Sequence, residues 1–399
     1  MSSRPKIALW FRYGAADHVE LFPAIVEIVR RLASQAEVHY FSLRGLKPIP
    51  EIIEGSVVFH ILPFSINRAS SMDKFLKTGL WLICLPWLAL QCRRLGINLV
   101  YIEETIPLSA MIARIFFGNK VAITIADFFV NIYMMSHPIW RPLGRLINAV
   151  DLASWRRLPL IFTRVQYTKT YLVRKGFEPD RIVPVYDACD FSIYRPGDRK
   201  AARAAFDYHD DHVVLVNHGY MHPNKGNDKI IIWVASLRDS LPALRFMLVG
   251  SGPDMARLQQ IVRDLHAEDV VRFTGWLKSP EMVTTALNAG DIGLAMREGQ
   301  ESDNFHVTSA LVHNMACGLP VLAARLQGMV EIVREGETGL LFDPNSREEF
   351  AAQLTTLAQS RDLRARCGAA GYRVARDLFD VRAVAEKTAV PLLALMKQP

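Results

Sequence analysis

Short apolar runs, each followed by a segment with helical spacing, recur along the whole chain. Such runs are typical of strands that are covered on both faces, and strands that alternate with helices predict an α/β protein with parallel, doubly wound sheets. The predicted strands lie at residues 6–10, 38–41, 57–60, 98–102, 121–125, 160–163, 212–216, 245–249, 291–296 and 320–323.

The chain has 399 residues, which is too many for one ordinary core and enough for two domains. A Pro-Gly-Asp sequence at 196–198 is typical of a linker. We therefore predict a first Rossmann-like domain at residues 1–195 and a second at 196–380. The amphipathic pattern at 381–399, interrupted by a proline, predicts a terminal helix.

The positive charge is concentrated in the first part of the chain. The net charge is +7, and residues 1–180 hold 22 Lys and Arg against 13 Asp and Glu, whereas the other 219 residues hold 25 against 27. Such an excess indicates nucleic acid, an anionic membrane or a merely solvated surface. The basic residues are mixed with long aliphatic runs and no nucleic-acid-binding motif is present, so we predict no nucleic-acid partner.

The sequence GLWLICLPWLAL at 79–90 lies between two lysines and two arginines. It is shorter than the roughly 20 residues that a membrane-spanning helix needs, and Pro86 interrupts it. Two hypotheses stay open, namely a helix that lies in the membrane interface and a buried core helix. The first predicts attachment to a membrane surface through residues 74–94 and the basic first domain.

The five cysteines are scattered and show no CxxC spacing. This pattern is typical of reduced thiols in a cytoplasmic protein and not of a metal site or a disulfide framework. The apolar run at the amino terminus is too short for a signal peptide. We expect a cytoplasmic protein that is peripheral on the inner face of the cell membrane.

The segment 301–343 contains the strongest site signal from secondary structure alone. Thr308 is a candidate N-cap for a helix that ends at Gly318, and the apolar run at 320–323 predicts a parallel strand. The carboxyl ends of such strands are where open α/β sheets bind ligands.

Backbone N–H groups at the start of this helix, on Val307, Thr308 and Ser309, predict an anion site that the helix dipole reinforces. Gly14, in the turn after the first strand, is a second candidate for close approach to a phosphate, with an ordinary turn as the alternative.

Several separate motifs in the second half of the chain occur in the same order as in a known family. MACGLPV at 315–321, EIV at 331–333 and GETGLL at 336–341 together resemble the donor-site signature of retaining GT-B glycosyltransferases of family 4, the glycosyl transferases group 1. The resemblance covers the second domain well and the first in outline. It implies two Rossmann-like domains facing a cleft, and sugar transfer from a nucleotide-sugar donor without a metal or another cofactor.

The resemblance also assigns donor-site residues. Lys225 would hold the donor diphosphate, with a solvated loop lysine as the alternative, while the arginine that the family carries a few residues earlier is absent. The segment 270–276 is similar to the one whose backbone reads the nucleotide base. The full predicted donor site is Gly14, His222, Lys225, Gly275, Trp276, Val307, Thr308, Ser309 and His313.

The family's two glutamates, separated by seven residues, are replaced here by Phe305 and His313. His313 would lie where a glutamate contacts the ribose, although a neutral imidazole accepts only one hydrogen bond. A histidine satisfied within its own helix is the alternative. Glu301, or else Glu298, is the candidate for the missing carboxylate.

The strand at 121–125 ends in Ala126-Asp127, where the family often carries His-Asp. A carboxylate at the carboxyl end of a strand can take a proton from an acceptor hydroxyl. An N-cap for the next segment is the alternative. We predict Asp127 and Glu301 as the catalytic residues.

The predicted function is glycosyl transfer from a UDP- or GDP-linked sugar to a lipid-linked or oligosaccharide acceptor, in the assembly of a surface polysaccharide or glycolipid. Two alternatives stay open. A sugar-nucleotide epimerase on the same architecture would need no membrane patch. A non-catalytic binding or scaffold protein would tolerate the missing glutamates, arginine and histidine.

Overall fold

The computed structural model describes residues 4–45, 47–49, 53, 55–65, 71–126, 128 and 138–398. The chain divides into two compact units. The first unit comprises Met1–Ala188 and Val381–Pro399, and the second comprises Cys189–Asp380. The chain therefore passes from the first unit to the second before Cys189 and returns to the first unit after Asp380.

Seven parallel strands form the sheet of the first unit. They are β1 (Lys6–Trp10), β2 (Glu37–Leu43), β3 (Val58–Leu62), β4 (Leu99–Ile102), β5 (Val121–Ile125), β6 (Leu160–Thr163) and β7 (Ile182–Pro184). Their order is β3-β2-β1-β4-β5-β6-β7, so the direction of the chain across the sheet reverses between β1 and β4. Such a reversal leaves a crevice at the carboxyl ends of the two strands, where open sheets bind ligands.

The helices of the first unit pack against this sheet and against one another. Ile25, Ile28, Val29 and Leu32 are buried on one side of their helix, because they recur at helical spacing. The helices are α1 (Ala15–Leu21), α2 (Ile25–Gln35), α3 (Ser71–Arg94), α4 (Ser109–Phe117), α5 (Arg141–Trp155) and α6 (Gln166–Arg174).

Six parallel strands form the sheet of the second unit. They are β8 (Val213–His218), β9 (Leu244–Val249), β10 (Val271–Gly275), β11 (Ile292–Ala295), β12 (Val321–Ala324) and β13 (Gly339–Phe342). Their order is β10-β9-β8-β11-β12-β13, so the switch point lies between β8 and β11. Together the two sheets confirm the predicted α/β class with two Rossmann-like units.

The helices of the second unit include the one predicted after Thr308. They are α7 (Arg199–Ala205), α8 (Asn227–Ala235), α9 (Met255–Asp264), α10 (Pro280–Ala289), α11 (Ser309–Ala316), α12 (Gln327–Val330), α13 (Arg347–Gln359) and α14 (Arg361–Phe379). The last helix of the chain, α15 (Val381–Lys397), returns to the first unit and packs against α2.

Two prolines that were expected to interrupt helices do not end them. Pro86 lies inside α3 and Pro391 lies inside α15. A proline removes one backbone donor and crowds the carbonyl four residues earlier, which costs about 3 kcal/mol in a helix interior. Both helices bury several apolar side chains around the proline, and this packing offsets the local cost.

No helix in the described part of the chain combines the length and the hydrophobicity that crossing a bilayer requires. All five cysteines are free thiols, and all but Cys84 are buried.

Candidate functional site

A cavity of about 160 Å³ lies at the carboxyl ends of β8, β9 and β11 in the second unit. Its wall is formed by the end of β8, the loop that follows it, the end of β9 and the start of α11. Two of these strands, β8 and β11, flank the switch point of the sheet, which is the expected ligand position in a doubly wound fold. The lining residues include Asn217, His218, Gly219, Tyr220, Met221, Lys225, Asn227, Met296, Thr308, Ser309 and Ala310.

The start of α11 faces this cavity. Thr308 is the N-cap in an extended conformation, and its Oγ1 accepts a hydrogen bond of 3.2 Å from the backbone N–H of Leu311. The N–H groups of the first turn have no partner within a helix, and the helix dipole places positive potential there. Thr308 and Ser309 are thus placed as an anion site requires, while Val307 precedes the cap and lies outside the cavity wall.

Lys225 supplies a cation to the same cavity. It ends a short 3-10 helix, Pro223–Lys225, and is half-buried. Burial, and after it the positive charge of Arg297, lowers the pKa of Lys225 to about 8, while Asp303 opposes the shift. The ammonium is therefore charged at pH 7 but close to its titration range.

Gly226 fixes the position of that lysine. Its backbone is left-handed, with φ of 65°, which glycine adopts without strain. A Cβ at this position would also lie 3.0 Å from Cε of Met296. The loop after β8 therefore approaches the loop after β11 more closely than another residue would allow.

His313 lies one layer behind the cavity wall. Its Nδ1 is 3.2 Å from Nε2 of His218, and the two rings are stacked. The Tyr194 ring also stacks on His313, with 3.6 Å between the ring centroids. Burial lowers the pKa of His218 to about 4 and the pKa of His313 well below its usual value. At pH 7 both rings are neutral, so one donates the shared hydrogen bond and the other accepts it. His313 thus has a partner within the protein, and a ribose contact stays a prediction.

Glu301 is exposed at the first position of a 3-10 helix, Glu301–Phe305. The buried carboxylate of this loop is Asp303 instead, which sequence reasoning missed. Asp303 Oδ1 pairs with Arg297 Nη1 at 2.8 Å, and Oδ2 accepts the N–H groups of Gly299 and Gln300 at 3.1 Å each. The signal in the sequence was the spacing of Gln300 and Asp303, which is that of a capping box.

The remaining predicted donor residues of the second unit lie outside the cavity wall. His222 is exposed, and its Nδ1 accepts the backbone N–H of Asn224 at 3.4 Å. The carbonyl of Gly275 accepts the N–H of Gly250 at 3.1 Å, and Trp276 is 71% exposed. A role for these residues in reading the base stays a prediction.

In the first unit, Gly14 has a structural reason to be glycine. A Cβ there would lie 2.3 Å from the Cα of Gly45, so the close approach is to the backbone of a neighbouring loop. Its contact with a phosphate stays a prediction. Asp127 lies outside the described residues. The preceding residue, Ala126, donates its N–H to Thr105 Oγ1 at 3.0 Å.

Sequence reasoning also missed a cluster of buried charges at the carboxyl ends of β1, β4 and β6. Arg12 pairs with Glu104 at 3.2 Å and donates its backbone N–H to the same carboxylate at 2.7 Å, and Arg164 pairs with Glu103 at 2.7 Å. Burial raises the pKa of both glutamates, and the arginines oppose this shift. The signal was a charged residue at or just past the end of each of three apolar strands: Glu103 and Arg164 follow β4 and β6 directly, and Arg12 lies two residues after β1.

The first unit also exposes an apolar face on three helices. One side of α3 is buried through Trp81, Leu85, Leu88 and Cys92, so the core-helix hypothesis holds for that side. The other side is exposed, and apolar side chains are also exposed on α4, which contacts both α3 and α5, and on residues 138–146. We call this surface the apolar face; its exposed members are Leu76, Ile83, Trp87, Leu90, Ile115, Ile139, Trp140, Leu143 and Leu146.

Within the described residues, no group of three or more His, Cys, Asp or Glu side chains is arranged to hold a metal ion. The expected independence of metals and other cofactors stays a prediction.

Comparison with known proteins gives a match to a family model over part of the chain. Residues 198–374 match the family model described as "Glycosyl transferases group 1". A D-inositol 3-phosphate glycosyltransferase of Thermomonospora curvata is 28% identical over 409 aligned positions, covering 92% of this chain and 88% of that protein. The protein of the same name from Rhodococcus opacus is 32% identical over 188 residues, which are 46% of this chain and 41% of that relative. The chain thus aligns along most of one relative and less than half of the other.

Among solved structures, HepE of Anabaena in complex with UDP superposes with a TM-score of 0.71 at 18% identity, over 98% of this chain and 100% of that one. The same protein has been solved with UDP and glucose and with UDP-glucose. At this identity the likeness establishes the fold, and the predicted GT-B architecture is confirmed.

Proposed function

We propose that this chain, whose residues 198–374 match the glycosyl transferases group 1 family model, transfers a sugar from a UDP-linked donor to a lipid-linked saccharide. The observation that carries the proposal is the cavity of the second unit, where Lys225 and the start of α11 line one space at the sheet's switch point. The complexes of HepE with UDP and UDP-glucose support the choice of nucleotide.

The cavity suits a leaving diphosphate. Negative charge grows on the diphosphate as its bond to the sugar breaks, so groups that are already oriented there stabilise the transition state more than the bound donor. The Lys225 ammonium and the N–H groups of Ser309 and Ala310 are such groups, and the capped helix holds the latter in place. Retention of the anomeric configuration belongs to the proposal and rests on the resemblance to family 4.

The acceptor part of the proposal rests on the apolar face. Ile83 is 76% exposed and Trp87 is 51% exposed on α3, and Arg93 and Arg94 follow at the exposed end of that helix. An exposed apolar strip beside arginines suits the interface of an anionic membrane, where tryptophan sits at headgroup level. We therefore propose a peripheral enzyme on the inner face of the cell membrane, which meets its acceptor there.

Thermal unfolding in the presence of UDP, GDP, dTDP or ADP tests the donor site. A ligand that binds the folded state raises the unfolding temperature according to its concentration relative to its Kd. We expect UDP to give the largest rise, Lys225→Ala to abolish it, and the exposed Lys200→Ala to preserve it. The absence of any rise at millimolar concentration of the four nucleotides would falsify the donor-site proposal.

Release of UDP from UDP-sugar, measured with and without added lipid-linked saccharide, tests the reaction. A transferase releases UDP in step with the acceptor that is consumed, whereas an epimerase interconverts the sugar nucleotide without acceptor. The anomeric proton of the product, observed by NMR, reports whether configuration is retained.

A further inference from the structure

The loop after β11 brings an arginine beside the lysine of the cavity. Arg297 directly follows Met296, which lines the cavity. The backbone N–H of Glu298 donates to the carbonyl of Asn224 at 3.3 Å, and the carbonyl carbon of Arg297 lies 3.8 Å from the Cβ position of Gly226. Two loops, each carrying a cation, are therefore locked together at the edge of the cavity.

The Arg297 guanidinium has a hydrogen-bond partner for Nη1 and none for Nε among the described residues. Asp303 accepts from Nη1 at 2.8 Å, and the Arg297 side chain is only 15% exposed. Its Nε is buried and has no hydrogen-bond partner among the described residues. A buried donor without a partner costs free energy, and arginine cannot relieve that cost by losing its proton.

The two cations are also short of negative charge. Arg297 and Lys225 are close enough to repel each other, and this repulsion adds to burial in depressing the pKa of Lys225. Asp303 is the carboxylate that opposes this repulsion, and two backbone N–H groups share its charge. A bound group that carries more than one negative charge would compensate the pair and satisfy the free edge of the guanidinium.

We propose that Arg297 is the second cation of the diphosphate site, reaching the donor from the loop after β11, with Asp303 as the residue that positions it. The inference rests on the proposed function and deepens it. Lysine provides a point charge and arginine a planar fork, so the pair distinguishes a diphosphate from a monophosphate. The cation missing from the loop after β8 is thereby supplied by a different loop.

The test is the affinity for a nucleoside diphosphate relative to its monophosphate, measured by titration calorimetry with UDP and UMP and with GDP and GMP. In Arg297→Gln we expect the affinity for the diphosphate to fall about ten- to a hundredfold and the affinity for the monophosphate to change less than about threefold. Arg297→Lys retains the positive charge but not the planar fork, so its affinity for the diphosphate should lie between those of the wild type and Arg297→Gln. Arg238→Gln, which removes an arginine paired with Asp269 in the same unit, is the matched control and leaves both affinities unchanged.

The ratio of the two affinities separates ligand contact from a merely structural role. Loss of fold lowers both affinities together and leaves their ratio unchanged, because both ligands bind the same folded molecules. An unchanged ratio in Arg297→Gln overturns the assignment of Arg297 while the proposed function stands. Wild-type protein that binds none of the four nucleotides overturns both.

Discussion

At the scale of single residues, Lys225 makes donor binding depend on pH. Its pKa of about 8 means that the ammonium is mostly charged at pH 7 and mostly neutral at pH 9. The attraction for a diphosphate is present below pH 8 and lost above it, so we predict that the affinity for UDP falls about tenfold between pH 7 and 9. Calorimetry across this range measures it.

Lys225→Arg is the control for this pH dependence, because arginine stays charged throughout the range. In that variant we expect the affinity for UDP to be the same at pH 7 and at pH 9, even if it is lower than that of the wild type. A wild-type affinity that is constant from pH 7 to 9 would show that Lys225 does not contact the diphosphate.

The two stacked histidines make stability depend on pH in the opposite sense. The pKa of His218 is about 4 in the folded protein, below the usual value of 6.5, so the unfolded chain binds the proton more readily. Its contribution to stability is complete above pH 6.5 and is lost as the pH falls towards 4. We predict a loss of about 2 kcal/mol from this group at pH 4.5.

Comparison with His218→Gln isolates that contribution from those of the other histidines. The unfolding temperature of the variant should fall less between pH 6.5 and 4.5 than that of the wild type. Parallel curves for the two proteins would mean that His218 is not kept neutral by its burial against His313.

At the scale of elements, α11 both completes the core and presents the anion site. Thr308 is buried, and its hydroxyl caps the N–H of Leu311. Thr308→Val keeps the shape but loses the cap, which costs about 1 kcal/mol. We predict that this change lowers the unfolding temperature and weakens UDP binding severalfold, while Thr308→Ser preserves both. If the valine variant binds UDP as tightly as the wild type, the start of α11 is not part of the donor site.

Elements with strong local patterns were predictable, whereas short or mixed ones were not. The strand at Val121–Ile125 is buried along its whole length and apolar except for Thr124, so the sequence alone located it. Strands β7, β10 and β13 were missed, because each lies at an edge of its sheet, has only three to five residues and contains a proline or a glycine. Helix α3 begins before and ends after the apolar run at 79–90, because its polar first and last turns carry no apolar pattern.

The residues of the site also divide into those that the sequence indicates and those that it does not. Lys225, Thr308 and Ser309 line one cavity, because each lies next to a strand end or a helix start, and their role in donor binding stays a prediction. Arg297 could not be selected from the sequence, since its importance comes from burial and from a loop that folds onto another loop, and the only sequence signal for Asp303 was its capping-box spacing from Gln300. The partnership of His313 with His218 depends on residues 95 positions apart, which spacing does not report.

At the scale of the whole molecule, the apolar face predicts reversible binding to membranes. Ile83→Glu combined with Trp87→Gln places a charge and a polar group in the exposed strip without touching the buried side of α3. We predict that the partition coefficient on anionic phospholipid vesicles falls at least about tenfold, while stabilisation by UDP is unchanged. Cosedimentation with vesicles measures this.

Ile232→Glu is the matched control, because Ile232 is 44% exposed on α8 of the second unit. It should leave vesicle binding unchanged. Wild-type protein that fails to sediment with anionic vesicles, or a double variant that sediments as well as the wild type, would refute the membrane part of the proposal.

The central claim is that the cavity of the second unit holds the diphosphate of a sugar donor. The most direct measurement is a crystal structure of the protein with UDP. We predict phosphate oxygens within hydrogen-bond distance of the Lys225 ammonium and of the N–H groups of Ser309 and Ala310. UDP bound elsewhere in the second unit, with this cavity holding only water, would contradict the claim.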